Sequence, residues 1–283
     1  MFPQPISRAK PLARRGFRVA LYVSLTLWLL PLLAVALTSL RSADDLARGN
    51  FWGWPTELVF GNYATVFADT RMLRFIFNSL IITVSSVAGA VTLACMAGFA
   101  LARYKFRGNT ALFVLFIAGN LVPFQILMIP VRDLAIGTLH IYDTYFALIT
   151  FHIAFQTGFC TLFMRNFIRQ LPDALFDAAR VEGLSELQIF RHIALPLVRP
   201  AIAAIAALTF TFVWNDYFWS LVLVQSDDVR PLTAGLQSMR GMWLASWQLI
   251  SAGSIVAAVP PVVLFFLMQR QFIAGLTAGS VKG

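Results

Sequence analysis

The sequence predicts an all-α integral membrane protein that crosses the bilayer six times, with both termini on the inner side. Three observations carry this expectation. Of the 283 residues, 59% are hydrophobic and only 12% are charged, whereas soluble domains carry roughly 25% charged residues. The charges fall in short islands separated by long apolar runs, and the basic residues are distributed unequally between alternate islands.

A spanning helix needs about 20 mostly apolar residues. Charge-free runs of that length extend from Arg18 to Arg41, Arg74 to Arg103, Arg107 to Arg132, Asp143 to Arg165 and Arg240 to Arg270. A sixth, from Arg199 to Asp227, is interrupted only by Asp216. These runs predict helices near residues 18–40, 76–101, 111–130, 144–164, 200–222 and 250–270. The first is too apolar for too long to be a signal-peptide core of about 7–15 residues, and reads as an uncleaved anchor. With the N-terminus inside, the 22 Lys and Arg divide 15 inside to 7 outside, the asymmetry that orients membrane proteins. The organisation is then a basic inner segment at 1–17, a transmembrane domain at 18–271 with a charged inner loop at 165–199, and an inner tail at 272–283.

The net charge of +9 is no sign of nucleic-acid binding, because no basic stripe carries interleaved aromatics. Cys95 and Cys160 each lie inside an apolar run without partner spacing. His140, His152 and His192 lack metal-ligand spacing, so no metal site is expected. The lysines, Lys10, Lys105 and Lys282, never follow glycine. The phosphate-cradling loop of nucleotide hydrolases is therefore missing. Nor does any Ser/His/Asp set or carboxylate pair argue for catalysis at a membrane face.

Several spans carry polar or small residues. Ser86, Ala90, Ala94 and Gly98 recur every four positions, a face that permits close helix approach. Pro31, Pro123 and the pair Pro260-Pro261 lie inside spans and favour bends. In the outer loop Phe51, Trp52, Trp54, Phe60 and Tyr63 fit either an interfacial belt or a docking surface. The fifth span contains Trp214, Asn215, Asp216, Tyr217, Phe218 and Trp219. An intramembrane carboxylate is costly, so Asp216 is expected to face the bundle interior, an aqueous cavity or a partner. Aromatic faces with amide and carboxylate groups suit polyol or sugar contact. Capping or cross-linking of helices by Asn215 and Asp216 is the equally weighted alternative.

The inner loop decides the class. Pro172 and Asp173 suit a helix start, Leu175, Phe176, Ala179 and Val181 give it an apolar side, and Gly183 ends it. Ser185 then caps a second short helix, and Pro196 and Pro200 lead into the fifth span. Asp177-Ala178-Ala179, Gly183, Ile193, Leu195 and Pro196 resemble the EAA motif of bacterial ABC-importer permeases, with Asp177 where that family usually has Glu. Asn78-Ser79-Leu80, the stretch from Ala100 to Gly108, Trp214-Asn215-Asp216 and the tail from Gly275 to Gly283 are similar to the second permease of maltose-type carbohydrate uptake.

The resemblance implies a type I importer bundle forming the translocation path with a homologous second permease. It places Asp177, Ala178, Ala179, Gly183, Leu184, Ile193, Leu195 and Pro196 in the coupling segment that docks on a dimer of cytoplasmic ATPase subunits. ATP and Mg would be held by those subunits, and no cofactor by this chain. Thr277, Gly279, Lys282 and Gly283 would reach the ATPase, and Trp214, Asn215, Asp216, Tyr217 and Trp219 would lie near the path. An extracytoplasmic solute-binding protein would deliver a sugar, polyol or glycerol-phosphate-type solute across the bacterial inner membrane. A stand-alone secondary transporter or channel is the alternative; its usual intramembrane ionisable groups reduce here to Asp216.

Overall fold

A computed structural model describes residues 11–68, 70–242 and 246–278. Every regular element among them is helical. The first half of the chain forms α1 (Pro11–Ser39), α2 (Ala43–Ala47), α3 (Gly61–Ala68), α4 (Met72–Arg103), α5 (Asn109–Leu121) and α6 (Met128–Asp133). There follow α7 (Tyr145–Ile168), α8 (Asp173–Val181), α9 (Glu186–Ile189), α10 (Leu195–Leu197) and α11 (Arg199–Trp214). The last elements are α12 (Phe218–Leu223), α13 (Leu232–Met242) and α14 (Trp247–Ala278). Among the described residues, four helices, α1, α4, α7 and α14, are long and apolar enough to cross a membrane, and two bent helix pairs raise the number to as many as six.

The chain divides into two compact units, Met1–Thr70 with Ser238–Val256, and Arg71–Gln237 with Ala257–Gly283. In the first unit α1 buries only Ser39. The loop after it is ordered by polar bonds. Arg41 is buried and donates to the carbonyls of Asn50, at 2.6 Å, and Gly53. Asp45 accepts from the Thr56 amide at 2.8 Å, and the Asn62 amide group donates to the carbonyls of Ser39 and Arg41, each at 2.9 Å. Trp52 and Trp54 project from this loop into the surroundings.

The second unit is built on the pairing of α4 with α7, the most extensive helix contact described. The four-residue stripe explains it. Ser86, Ala90, Ala94 and Gly98 are all buried, and a Cβ at Gly98 would lie 2.9 Å from both the Arg165 amide nitrogen and Met164 Cβ. Without a hydrophobic drive between helices in lipid, this backbone approach supplies the van der Waals contact. The core it begins, with Cys95, Phe99, Cys160 and Met164, continues through Phe176, Ala179 and Ile189 of the inner loop to Val198, Ala201 and Ile205.

Two expected spans are not single straight helices. The run at 111–130 is broken at Val122-Pro123, where the axes before and after differ by 88°. Pro123 offers no N–H and pushes its predecessor out of helical geometry; Val122 has φ −71° and ψ 122°. The run at 200–222 stops at Trp214 and restarts at Phe218. There the Asp216 carboxylate accepts from the amides of Trp219 and Ser220, both at 3.3 Å, a side-chain bond that competes with helix continuation. A further 75° bend separates Glu186–Leu197 from Arg199–Trp214.

Gly98→Leu is expected to destabilise the second unit by about 1–3 kcal/mol through overpacking, read as a lowered thermal unfolding midpoint in detergent. Gly119→Leu, where a Cβ meets nothing within 4 Å, is the control. Equal midpoints for the two variants would mean that the α4–α7 approach is dispensable.

Candidate functional site

The inner loop is anchored by the end of α4. Arg103, with only 6% of its side chain exposed, pairs with Asp173 at the start of α8. Its other terminal nitrogen donates to the carbonyls of Ile168 and Leu171, at 2.6 and 2.7 Å. Ile168 closes α7 and Leu171 lies in the turn that follows it, a place where helix-end carbonyls need partners from outside the helical ladder. The guanidinium carbon sits 3.8 Å from the centre of the Phe176 ring. The neighbouring Tyr104 donates to Glu186 Oε2 at 2.6 Å, while Arg180 donates to Glu186 Oε1 at 2.8 Å and to Asp177 Oδ1 at 3.0 Å. The helix turns themselves follow local chemistry. Gly183 takes φ +84°, a left-handed value that suits glycine at a helix end. Ser185 and Gln188 form a reciprocal capping box.

This frame sorts the predicted residues into two sets. Asp177, Ala178 and Gly183 face outward. Ala179 is buried, and Leu184, Ile193 and Leu195 pack partly buried on the same core, with Pro196 half-buried beside them. The inward set therefore holds the segment to its own chain. Sequence reasoning assigned Val181 to an apolar side together with Phe176 and Ala179, whereas the structure turns it outward at 89% exposure; Leu187 is 73% exposed. The helical phase separates Val181 from Phe176 and Ala179, a signal available in the spacing. These two exposed aliphatic groups share the outer side of the loop with Asp177, Glu182 and the half-buried Glu186.

A second cluster surrounds the break after α11. A cavity of about 590 Å³ is lined by Phe155, Gln156, Asn215, Asp216, Tyr217 and Trp219, among others. Buried His152 brings Nε2 to 3.7 Å from Asp216 Oδ2, and the Trp219 and Phe151 rings are in close contact. His152, Phe155 and Gln156 were missed as site residues because only the fold brings α7 against this break. Trp214, grouped with these residues in the sequence, does not line the cavity. It is buried, stacked with Phe210, and donates from its indole nitrogen to the Ala257 carbonyl at 3.0 Å. Of the tail residues, Thr277 falls within α14, whereas Gly279, Lys282 and Gly283 lie outside the described residues.

Opposite the inner loop, Asn78 and Ser79 tie the α12–α13 connection to α4. Asn78 donates to the carbonyls of Asp228 and Arg230, at 3.1 and 2.8 Å, and accepts from Tyr145 at 2.6 Å. Ser79 accepts from the Leu232 amide at 2.8 Å.

Comparison with known proteins agrees with this arrangement. Residues 90–277 match the family described as binding-protein-dependent transport system inner membrane component. The chain is 36% identical to the arabinooligosaccharides transport system permease protein AraQ of Halalkalibacterium halodurans, over 89% of this chain and 91% of that one. It is 34% identical to the osmoprotective compounds uptake permease protein GgtD of Synechocystis, over 93% and 91%. Among solved structures, a bacterial ABC transporter involved in importing the acidic polysaccharide alginate superimposes with a TM-score of 0.81. That likeness is at 22% identity and covers 96% of this chain and 100% of the other.

The Glu186 contacts set a pH dependence. Hydrogen bonds from Arg180 and then Tyr104 hold its carboxyl below the ordinary glutamate value, while burial and then Glu186 push the Tyr104 phenol up to about 12. A depressed carboxyl stabilises the fold fully above about pH 4.3, and the contribution fades as pH falls through the lower folded value. Proteolysis within residues 172–198 is therefore expected to accelerate on acidification below that range. Glu186→Gln should cleave faster than wild type at neutral pH and change less on acidification. Identical pH profiles would remove Glu186 as an anchor.

Proposed function

Because the chain belongs to the binding-protein-dependent transport system inner membrane components, we propose that it is one of two permease subunits of an ATP-driven carbohydrate importer in the bacterial cytoplasmic membrane. The observation that carries the coupling part of this reading is the two-sided inner loop. Its inner side is packed into the α4–α7–α11 core, while Asp177, Gly183, Val181 and Leu187 face outward. A separate ATPase dimer, holding ATP and Mg, docks on that outer side. The loop, firmly joined to α4 and α7, then transmits ATPase closure to the bundle, and the bend at Val198 gives α11 a place to reorient. The N-terminus and the inner loop lie on the cytoplasmic side, and Thr277, Gly279, Lys282 and Gly283 extend the ATPase contact.

A sugar, polyol or glycerol-phosphate-type cargo agrees with the names of the relatives and with the chemistry of the cavity. Aromatic walls stack on C–H faces, and Asn215, Asp216 and Gln156 offer hydrogen bonds to hydroxyls. An extracytoplasmic solute-binding protein delivers the cargo, and the second permease completes the path.

The test is to co-express the chain with its neighbouring permease and ATPase, purify the complex, and measure hydrolysis in lipid with and without loaded binding protein. Hydrolysis should rise with the loaded protein. Asp177→Lys, Gly183→Trp and Val181→Asp should each weaken ATPase association roughly tenfold or more, with the binding protein's sugar affinity unchanged. Uptake that survives all three changes, or transport by the chain without any ATPase, would refute the coupling assignment. Within the cavity, Asn215→Ala should alter uptake kinetics without lowering the unfolding midpoint. Trp214→Ala should lower the midpoint by creating a cavity in the core.

A further inference from the structure

At the inner-loop end of α4 and α7 lies a second cavity, of about 680 Å³, that the transport reading does not use. Its lining includes Tyr104, Lys105, Arg107, Asn109, Arg165 and Arg169, and contains no carboxylate. Arg165 is fixed in place, with its guanidinium carbon 3.7 Å from the centre of the Phe113 ring and Nε donating to the Leu101 carbonyl at 3.4 Å. Lys105, Arg107 and Arg169 are exposed, and none of them forms an ion pair among the described residues. The contrast with nearby Arg103 and Arg180 is informative, because both of those are matched to carboxylates. Lys105 and Arg169 also border an adjoining cavity that holds Asp173 and Asp177, but no carboxylate lines the cavity that the four cations share, and a bound anion there relieves their mutual repulsion.

The start of α5 adds to the positive field. Gly108 precedes it with φ +91° and supplies no side-chain cap; the Asn109 amide bonds to the Phe106 carbonyl, and the positive end of the helix dipole adds to the field of the cations. The rim is made of the ends of helices rather than a soluble surface. Phe106, Leu112 and Leu115 continue from it as exposed apolar groups. A cationic bowl leading onto an apolar helix face matches a molecule with a phosphate head and a hydrocarbon body.

We propose that this cavity binds the phosphate of an anionic phospholipid, with its acyl chains lying along α5. Arginine forks and helix amides both recognise phosphate oxygens well, and basic pockets between membrane helices are established headgroup sites in other proteins. The same oxygen chemistry belongs to free phosphate, but the apolar continuation of the rim favours the lipid. The site is separate from the cavity at the α11–α12 break.

The test uses the full-length chain extracted from membranes with whatever subunits accompany it. Bound phospholipid is quantified by mass spectrometry after exchange into mixed phosphatidylglycerol and phosphatidylcholine vesicles. Wild type should retain phosphatidylglycerol selectively. The double variant Arg107→Gln/Arg169→Gln, which alters two exposed side chains, should lose roughly tenfold or more of that selectivity while keeping its unfolding midpoint in phosphatidylcholine. Arg107→Lys/Arg169→Lys should restore most of it. Millimolar inorganic phosphate should leave the lipid in place. Undiminished retention by the glutamine variant would overturn the site, and displacement of the lipid by inorganic phosphate would overturn the lipid as its ligand.

Discussion

The arrangement of the inner half of the molecule depends on one buried cation. Arg103 closes α4 and, in the same few ångströms, satisfies carbonyls at the end of α7, pairs with the first residue of α8 and lies against Phe176. A helix ending at a membrane boundary leaves carbonyls that its own ladder does not satisfy in full and that lipid cannot satisfy. An arginine supplies several donors in a fixed plane and carries no acceptor of its own. One side chain thus solves the termination problem of one helix and sets the starting position of another. The cost of desolvating the guanidinium is offset by its carboxylate and carbonyl partners.

From that junction the inner loop acquires its two faces. Phe176, Ala179 and Ile189 extend the α4–α7 core, and Tyr104 and Arg180 converge on Glu186 from two sides. The outward residues are consequently presented on a stiff mount. At the other end, the break after Trp214 serves a different purpose. It releases Asn215, Asp216 and Tyr217 from a continuous helical ladder and lets them line a cavity, with Asp216 spending its oxygens on the amides that begin α12. Helix capping and placement beside a cavity, set against each other in the sequence, coexist in this carboxylate.

Much of this was legible because local rules wrote it. Gly183 at a left-handed turn, Ser185 as the cap of the next helix, and the small-residue stripe ending at Gly98 are all decided within one or two helical turns; the reciprocal bond from Gln188 that completes the capping box went unread. The severity of the break at Pro123 was not legible. A proline announces a bend, but neighbouring elements determine whether the chain turns by 20° or by the 88° observed. Arg103 gave no local sign of its role, since its carbonyl partners lie more than sixty positions away. His152 and Gln156 join Asp216 only through the packing of α7 against the α11–α12 break. Trp214 sits beside genuine cavity residues in sequence yet points into packing, because neighbours on a helix face different directions.

The isolation of α1 bears on how the protein is made. This helix of 29 residues buries only Ser39, and apart from the bonds of Ser39 to Asn62 and Tyr63 its backbone needs no later residue to form a membrane span. Its first turns carry Arg14, Arg15 and Arg18, placed so that their charge acts during insertion. Biogenesis can therefore orient this span while the ribosome is still synthesising the helices whose packing needs one another.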